Sequence, residues 1–378
     1  LPARSERLLA LDVFRGATVA GMLLVNDPGS WSHIFPPLAH AAWNGWTPTD
    51  LIFPFFLFVV GITTELSRAS RRARGDSDAM LVRQILRRGA LIVLFGLLLS
   101  WFPFYTWGPA VPAAGRVVDR LYHIRIPGIL QRIGVVYLVS ALITLRTSVR
   151  AQVVIVAAIL MGYWALLAYS ITLPGQVDRL LLDWGPYGNH IWAGTVTYDP
   201  EGVLSTIPAV ASAMVGILAG KWLLGGASLP EKLNGLFAVG ALSIVVGLVW
   251  NWVFPINKNL WTSSYVVFTA GVAAVTLATC MWIIDVRGIR WWTPPFVVFG
   301  INPFLAFIGS EAMARLIYSV ITVPDASGRP VSVATMGYNL FALALSPRVA
   351  SLAFALSFVL FWLGVLTVLY RRNFIFKV

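Results

Sequence analysis

The 378-residue sequence contains a single cysteine, Cys280, set inside an apolar run. A disulfide framework and a Cys-based zinc site are therefore both excluded within one chain. Charge is scarce as well: only 12% of residues are Asp, Glu, Lys or Arg, about half the share carried by an ordinary soluble domain. Acids are the rarer sign, 16 against 28 basic residues, which leaves a formal net charge of +12. No internal repeat suggests the inverted halves of a secondary transporter. His33 and His40 share an irregular loop without HxxxH spacing, and no Cys accompanies them, so no metal site is expected.

What the chain has instead is apolar length. Hydrophobic residues make up 58% of it, and 16 Trp with 22 Phe fit a membrane-embedded body with interfacial aromatic belts. Runs of about 20 mostly apolar residues, the length that crosses a bilayer core, fall near 8–26, 48–67, 85–102, 127–145, 151–169, 203–224, 234–254, 263–284, 294–318 and 347–370. The ninth is interrupted by Pro294, Pro295, Pro303 and Glu311. The expected fold is an all-α integral membrane protein, a polytopic bundle of about ten transmembrane helices in one domain over 1–378. Leu1 in place of Met suggests a trimmed N-terminus, and with no cleavage pattern after it the first apolar run is expected to be retained.

Basic residues concentrate in short cytoplasmic loops. Arg68, Arg71, Arg72, Arg74, Arg83, Arg87 and Arg88 crowd one connection, and the basic residues near both termini, Arg4, Arg7 and Lys377 among them, fall on the same side. That side, with both termini and the basic loop at about 68–84, is expected to be cytoplasmic. Topology then accounts for most of the net charge, and no soluble basic domain remains to bind nucleic acid. All four histidines and Asp27, Asp119, Asp178, Asp183, Asp199 and Glu201 fall in the segments expected outside.

The segment from Asn26 to Asp50 carries the densest chemistry. Pro28, Gly29, Pro36 and Pro37 forbid a regular helix, while Trp31, Phe35, Trp43 and Trp46 make the loop at about 27–47 one that folds back onto the membrane face. His40 in its middle suits proton transfer near neutral pH, and equally suits a satisfied interfacial histidine. Asp50, at the third position of a helix opened by Thr47 and Pro48, reads as a helix-start acid that can also orient His40. Asp199 and Glu201 around Pro200 read as the capping of a later helix. Asp12 and Arg15 share a face of the first helix and can neutralise one another. Gln131 and Arg132 follow the Pro127-Gly128 break, and Glu65 can snorkel inward. Asn257, Lys258 and Trp261 form an outer turn, with Lys258 an anchor or a substrate contact.

The stretches RLLALDVFRG (7–16), VNDPG (25–29), HAAWNGWTPTDLIFPFFLFVVG (40–61), IRIPGILQR (124–132), YDPEGVLSTIPA (198–209) and PINKNLWTSSY (255–265) resemble, in order, the heparan-alpha-glucosaminide N-acetyltransferase family in its bacterial branch. Its lysosomal members have a further N-terminal soluble part and one more crossing, which these 378 residues do not include. The resemblance implies a transmembrane acyltransferase that takes acetyl-CoA from the cytoplasm and acetylates the amine of a glucosamine-type sugar or glycan outside. It places the catalytic histidine on His40 and its active-site asparagine on Asn26. Asp50 is expected to support them. The expected CoA contacts are Asp12, Arg15, Arg71, Arg72 and Arg132, and the expected acceptor contacts are Trp43, Asn44, Asp199, Glu201, Asn257 and Lys258. The bilayer is a partner, nucleic acid is not, a homodimer is left open, and the expected location is the bacterial inner membrane. A transporter of an amino sugar or acyl group that does no chemistry is the alternative.

Overall fold

The computed structural model describes residues 9–106, 112–185, 188–192, 198–325 and 327–376. Arg4, Arg7 and Lys377 lie outside the described residues.

Proline and small polar residues punctuate the helices. The first, α1 (Leu9–Asn26), stops ahead of Pro28, because a proline disfavours helical backbone in the residue before it. Pro48 opens α2 (Pro48–Ala73) at its first position, and Pro54 lies inside it. Ser77 caps α3 (Asp78–Trp101), accepting a bond from the Met80 amide. A short α4 (Arg116–Tyr122) precedes α5 (Ile129–Arg146), which starts just after Gly128, and α6 (Val149–Tyr169) is capped by Ser148. Next come the ten-residue α7 (Leu173–Leu182), α8 (Thr206–Leu224), α9 (Leu229–Trp250) and α10 (Ser263–Met281), the last extended by a π turn over Trp282–Val286.

The ninth apolar run is two helices, α11 (Pro294–Ile301) and α12 (Pro303–Arg315), the second continued by a π turn and bent 84° from the first. Pro303 causes the break, since it offers no N–H and crowds the preceding turn. A small antiparallel hairpin, β1 (Thr322–Pro324) with β2 (Pro330–Ser332), leads to α13 (Val333–Ala342) and α14 (Pro347–Arg371).

All ten expected crossings are helical. Among the described residues eight helices are long and apolar enough to span a bilayer, and counting the bent pair as one span makes nine. The remaining expected segment, the third at 85–102, falls in α3, a 24-residue helix whose first half holds Arg83, Arg87 and Arg88. The basic stretch expected as a loop at 68–84 is mostly helix, with only the short turn between Ala73 and Asp78 outside it. The chain is thus an all-α polytopic membrane protein.

Contacts group the residues into two compact units: one runs to Ala41 and adds Thr47–Phe53 and the chain from Thr276, and the other joins Ala42–Trp46 to Pro54–Val275. Each unit has a tight crossing on paired glycines. In the first, a Cβ on Gly16 of α1 would lie 1.7 Å from the Phe296 carbonyl of α11, and one on Gly300 would lie 2.2 Å from the Asp12 carbonyl. In the second, Gly61 of α2 faces the Ala213 carbonyl and Gly216 of α8 faces that of Phe58, each at 2.1 Å. Small residues let helix backbones approach where the lipid tails supply no hydrophobic drive. By contrast α6, α9 and α14 bury only 22% of their apolar windows, as lipid-facing helices do.

Candidate active site

In the first unit the chain leaves α1 at Asn26 and crosses an irregular loop with a single 3-10 turn at Pro36–Leu38 before α2 begins. The two ends of that loop carry its chemistry. His40 Nδ1 lies 2.6 Å from Asp50 Oδ1. Asp50 Oδ2 accepts from the Ala41 and Thr47 amides, both at 3.0 Å, and from the Thr47 hydroxyl at 3.2 Å. Asp50 is therefore both the helix-start acid and the orienter of His40. Its side chain is 1% exposed while that of His40 is 46% exposed. A carboxylate so occupied accepts the Nδ1 proton, which leaves Nε2 as the basic nitrogen of the neutral ring.

At the other end, the Asn26 amide donates to Glu311 Oε1 of α12 at 3.4 Å. The adjacent Asp27 is 4% exposed. Burial, and then the charge of Glu311, push its carboxyl up to about 8. The Tyr318 hydroxyl holds the loop by donating to the Pro28 carbonyl at 2.8 Å. Neither Asp27 nor Glu311 was expected at the site. Glu311 reads in sequence only as an interruption of an apolar run, although an acid at membrane depth is a functional signal by default.

Asp12 and Arg15 pair at 2.7 Å. Along a helix that rises 1.5 Å per residue, Asp12 stands about 21 Å from Asn26, so this neutral pair is remote from the asparagine.

The second unit holds a buried ionic network. Arg125 forks onto Asp199, Nε to Oδ2 at 2.9 Å and Nη2 to Oδ1 at 2.5 Å, and also bonds Glu201. The capping role expected of Asp199 and Glu201 is thus replaced by ion pairing, because α8 begins only at Thr206. Burial alone would lower the Arg125 pKa and raise that of Glu201, but their mutual attraction reverses both, with Asp199 helping the arginine and Arg132 and Lys258 helping Glu201. Asp178 accepts from the Asp199 and Val203 amides, and burial still raises its pKa.

Arg132 is 2% exposed and lies 5.1 Å from the centre of the Trp261 ring. Its Nη2 donates to the Gly202 carbonyl at 3.2 Å and to the Ser205 hydroxyl. Nearby in sequence to His40, but within this unit, Asn257 Nδ2 donates to Asn44 Oδ1 at 3.2 Å and Trp43 meets Tyr198 edge-on at 5.3 Å. Of the other expected contacts, Arg71 pairs with Asp76 and Arg72 with Asp78 in the short turn after α2. Glu65, expected to snorkel, is instead buried against Arg68. Arg125 and Asp178 were given no role from sequence, because the partners that give them roles lie tens of residues away. Among the described residues, no group of three His, Cys, Asp or Glu side chains could hold a metal ion.

A polytopic helical membrane protein with a carboxylate-oriented histidine on a loop between its first two long helices is the class these features define. The family model described as "Heparan-alpha-glucosaminide N-acetyltransferase, catalytic" matches residues 7–227, and the chain belongs to that family. Among its relatives is the Homo sapiens heparan-alpha-glucosaminide N-acetyltransferase, 30% identical over 370 residues that cover 82% of this chain and 54% of that protein. The Mus musculus protein of the same name is also 30% identical, over 367 residues with the same shares. The chain therefore spans about half the length of the curated relatives it matches.

Proposed function

We propose that this protein is a transmembrane N-acetyltransferase that moves the acetyl group of cytoplasmic acetyl-CoA to the amine of a glucosamine-type sugar on the other side of a bacterial inner membrane. The observation that carries the reading is the 2.6 Å bond from His40 to a buried, fully engaged Asp50. That geometry fixes the ring tautomer a general base needs. His40 takes the proton that the sugar ammonium must lose before its nitrogen can attack. The nitrogen forms a bond to the thioester carbonyl carbon, the C–S bond breaks, and the departing CoA sulfur takes up the second proton that the nitrogen sheds, leaving as the thiol. One proton is released overall.

Asn26 has two amide hydrogens, one of them directed at Glu311. The second is assigned to the carbonyl oxygen as it gains negative charge, where one such donor is typically worth about 3 kcal/mol. Of the expected acceptor contacts, Asp199 and Glu201 are committed to Arg125, which leaves Trp43, Asn44, Asn257 and Lys258 as the proposed sugar contacts. The CoA phosphates belong with the arginine-rich side of the protein.

The test is direct: purified protein, acetyl-CoA and glucosamine are combined and the sugar is analysed by mass. N-acetylglucosamine formed at a rate above the protein-free blank is expected. Binding of the sugar with no product over many hours would overturn the reading in favour of a transporter.

A further inference from the structure

Three serine or threonine side chains lie on α14, a helix that buries little of its apolar surface. Two of them return their hydroxyls to their own helix, Ser357 to the Ala353 carbonyl at 2.7 Å and Thr367 to the Leu363 carbonyl at 2.6 Å, as such residues do in helices that lack water. Ser351 does not. It is 2% exposed, and its hydroxyl accepts from the Ser30 amide at 3.0 Å and donates to the Ser30 carbonyl at 3.2 Å. Its own carbonyl accepts from the Gly29 amide, also at 3.2 Å. Three hydrogen bonds thus tie one helical residue to the loop that follows Asn26.

The loop lies close against this seat. A Cβ on Gly29 would stand 2.9 Å from Phe354 Cβ and from Tyr338 Cδ2, and 3.1 Å from Ser351 Cα, so the missing side chain is what lets the backbone come so near. Phe354 also meets the Tyr318 ring edge-on at 6.2 Å, and the Tyr318 hydroxyl holds the Pro28 carbonyl at 2.8 Å. Residues 28, 29 and 30 are therefore each bonded either to α14 or to the turn that continues α12. Just before them, the Asn26 amide reaches Glu311 at 3.4 Å. A bond of that length is beyond the usual range, so it cannot hold the asparagine by itself, and a small drift of the loop would break it.

We propose that Ser351 and Tyr318 are positioning residues: by clamping the backbone at 28–30 they set where the Asn26 amide points, without touching either substrate themselves. The clamp stands on these contacts; that Asn26 then serves acetyl transfer rests on the proposed function.

The rate of glucosamine acetylation is measured in Ser351→Ala, Tyr318→Phe and the control Ser357→Ala, each in the wild-type and in the Asn26→Ala background, with thermal unfolding of every variant. In the wild-type background Ser351→Ala and Tyr318→Phe should each lower kcat by about ten-fold, within the roughly 10²-fold cost of a 1 Å misplacement, with KM for acetyl-CoA nearly unchanged. Ser357→Ala should leave both parameters as they are. With Asn26→Ala already in place the same two changes should cost less than about two-fold, because residues that act through one group are not additive. A second arm follows amide hydrogen exchange by mass spectrometry on the peptide over 26–35, which should be up to about ten-fold faster in Ser351→Ala as the Ser30 amide loses its acceptor. A kcat near wild type in either folded variant, an equal loss in both backgrounds, or unaltered exchange would overturn the proposal. If Ser351→Ala fails to fold, Tyr318→Phe decides by the same comparison of backgrounds. A wild type that transfers no acetyl group would sink the proposed function, and the exchange arm then decides the clamp by itself.

Discussion

Asp50 does two jobs with its two oxygens: Oδ1 holds the His40 ring and Oδ2 gathers the amides that open α2. Asp50→Asn is the sharpest way to part them, because an amide keeps one acceptor oxygen while its NH₂ disfavours the productive tautomer. Acetyl transfer by Asp50→Asn should fall about 10²–10⁴-fold, with a much smaller change in thermal unfolding. A rate within a few-fold of wild type would show that Asp50 serves the helix alone. Asp27 gives a prediction of the opposite kind. Its folded-state carboxyl titrates at about 8 against an ordinary 3.8, so between those values the folded protein holds a proton that the unfolded chain has released. Stability from this residue is therefore highest at low pH and is lost as pH rises through that interval. The melting temperature should drop between pH 6 and 8.5 in the wild type and drop less in Asp27→Asn, by differential scanning fluorimetry in detergent; equal drops in both would contradict the burial argument. Among single residues, local spacing marked Asp50 as a helix-start acid able to orient His40, whereas the roles expected of His40 and Asn26 came from the family resemblance, because a histidine in mid-loop equally suits a structural place. Arg125 and Glu311 were missed because their partners, Asp199 and Asn26, lie 74 and 285 residues away, and spacing carries no trace of such pairs.

The helices were the most legible elements, since an apolar run of bilayer length leaves few other structures open to the backbone. The bent α11–α12 pair was signalled by Pro294, Pro295 and Pro303, although the prolines could not give its 84° bend. The short α4, α7 and α13 and the hairpin passed unnoticed, because none approaches the length of a crossing. Glycine packing was likewise invisible until the crossings were seen. It separates two classes of glycine with opposite outcomes. Gly61→Ala would press a methyl group onto the Ala213 carbonyl at 2.1 Å, and overpacking of this kind costs about 1–3 kcal/mol or more. Gly162, in the middle of α6, has open space in place of a side chain, with nothing within 4 Å of where a methyl group would sit, so Gly162→Ala should gain up to about 1 kcal/mol of helix propensity. Melting temperatures of the two variants should move in opposite directions; a Gly61→Ala protein as stable as wild type would mean that α2 and α8 do not approach as closely as described.

For the molecule as a whole, the orientation in the membrane carries the direction of transfer. The basic turn between α2 and α3 is proposed to lie in the cytoplasm, where acetyl-CoA is. Ser77 in that turn is exposed, so Ser77→Cys in a Cys280→Ser background should react with an impermeant maleimide only after cells are opened. Labelling of intact cells would reverse the topology and the direction of transfer with it. The charge asymmetry behind this expectation was readable from the sequence because it is a property of composition along the chain. The division into two compact units was not, since it depends on which helices pack together.

The most direct test of the account is the acetylation rate of glucosamine by acetyl-CoA in wild type and His40→Ala, with the two proteins matched for fold by thermal unfolding. A loss of about 10²–10⁴-fold is expected, the range that a general base contributes, in a protein that is otherwise intact. A His40→Ala enzyme that acetylates glucosamine at near the wild-type rate would contradict it and return His40 to a structural place in the loop.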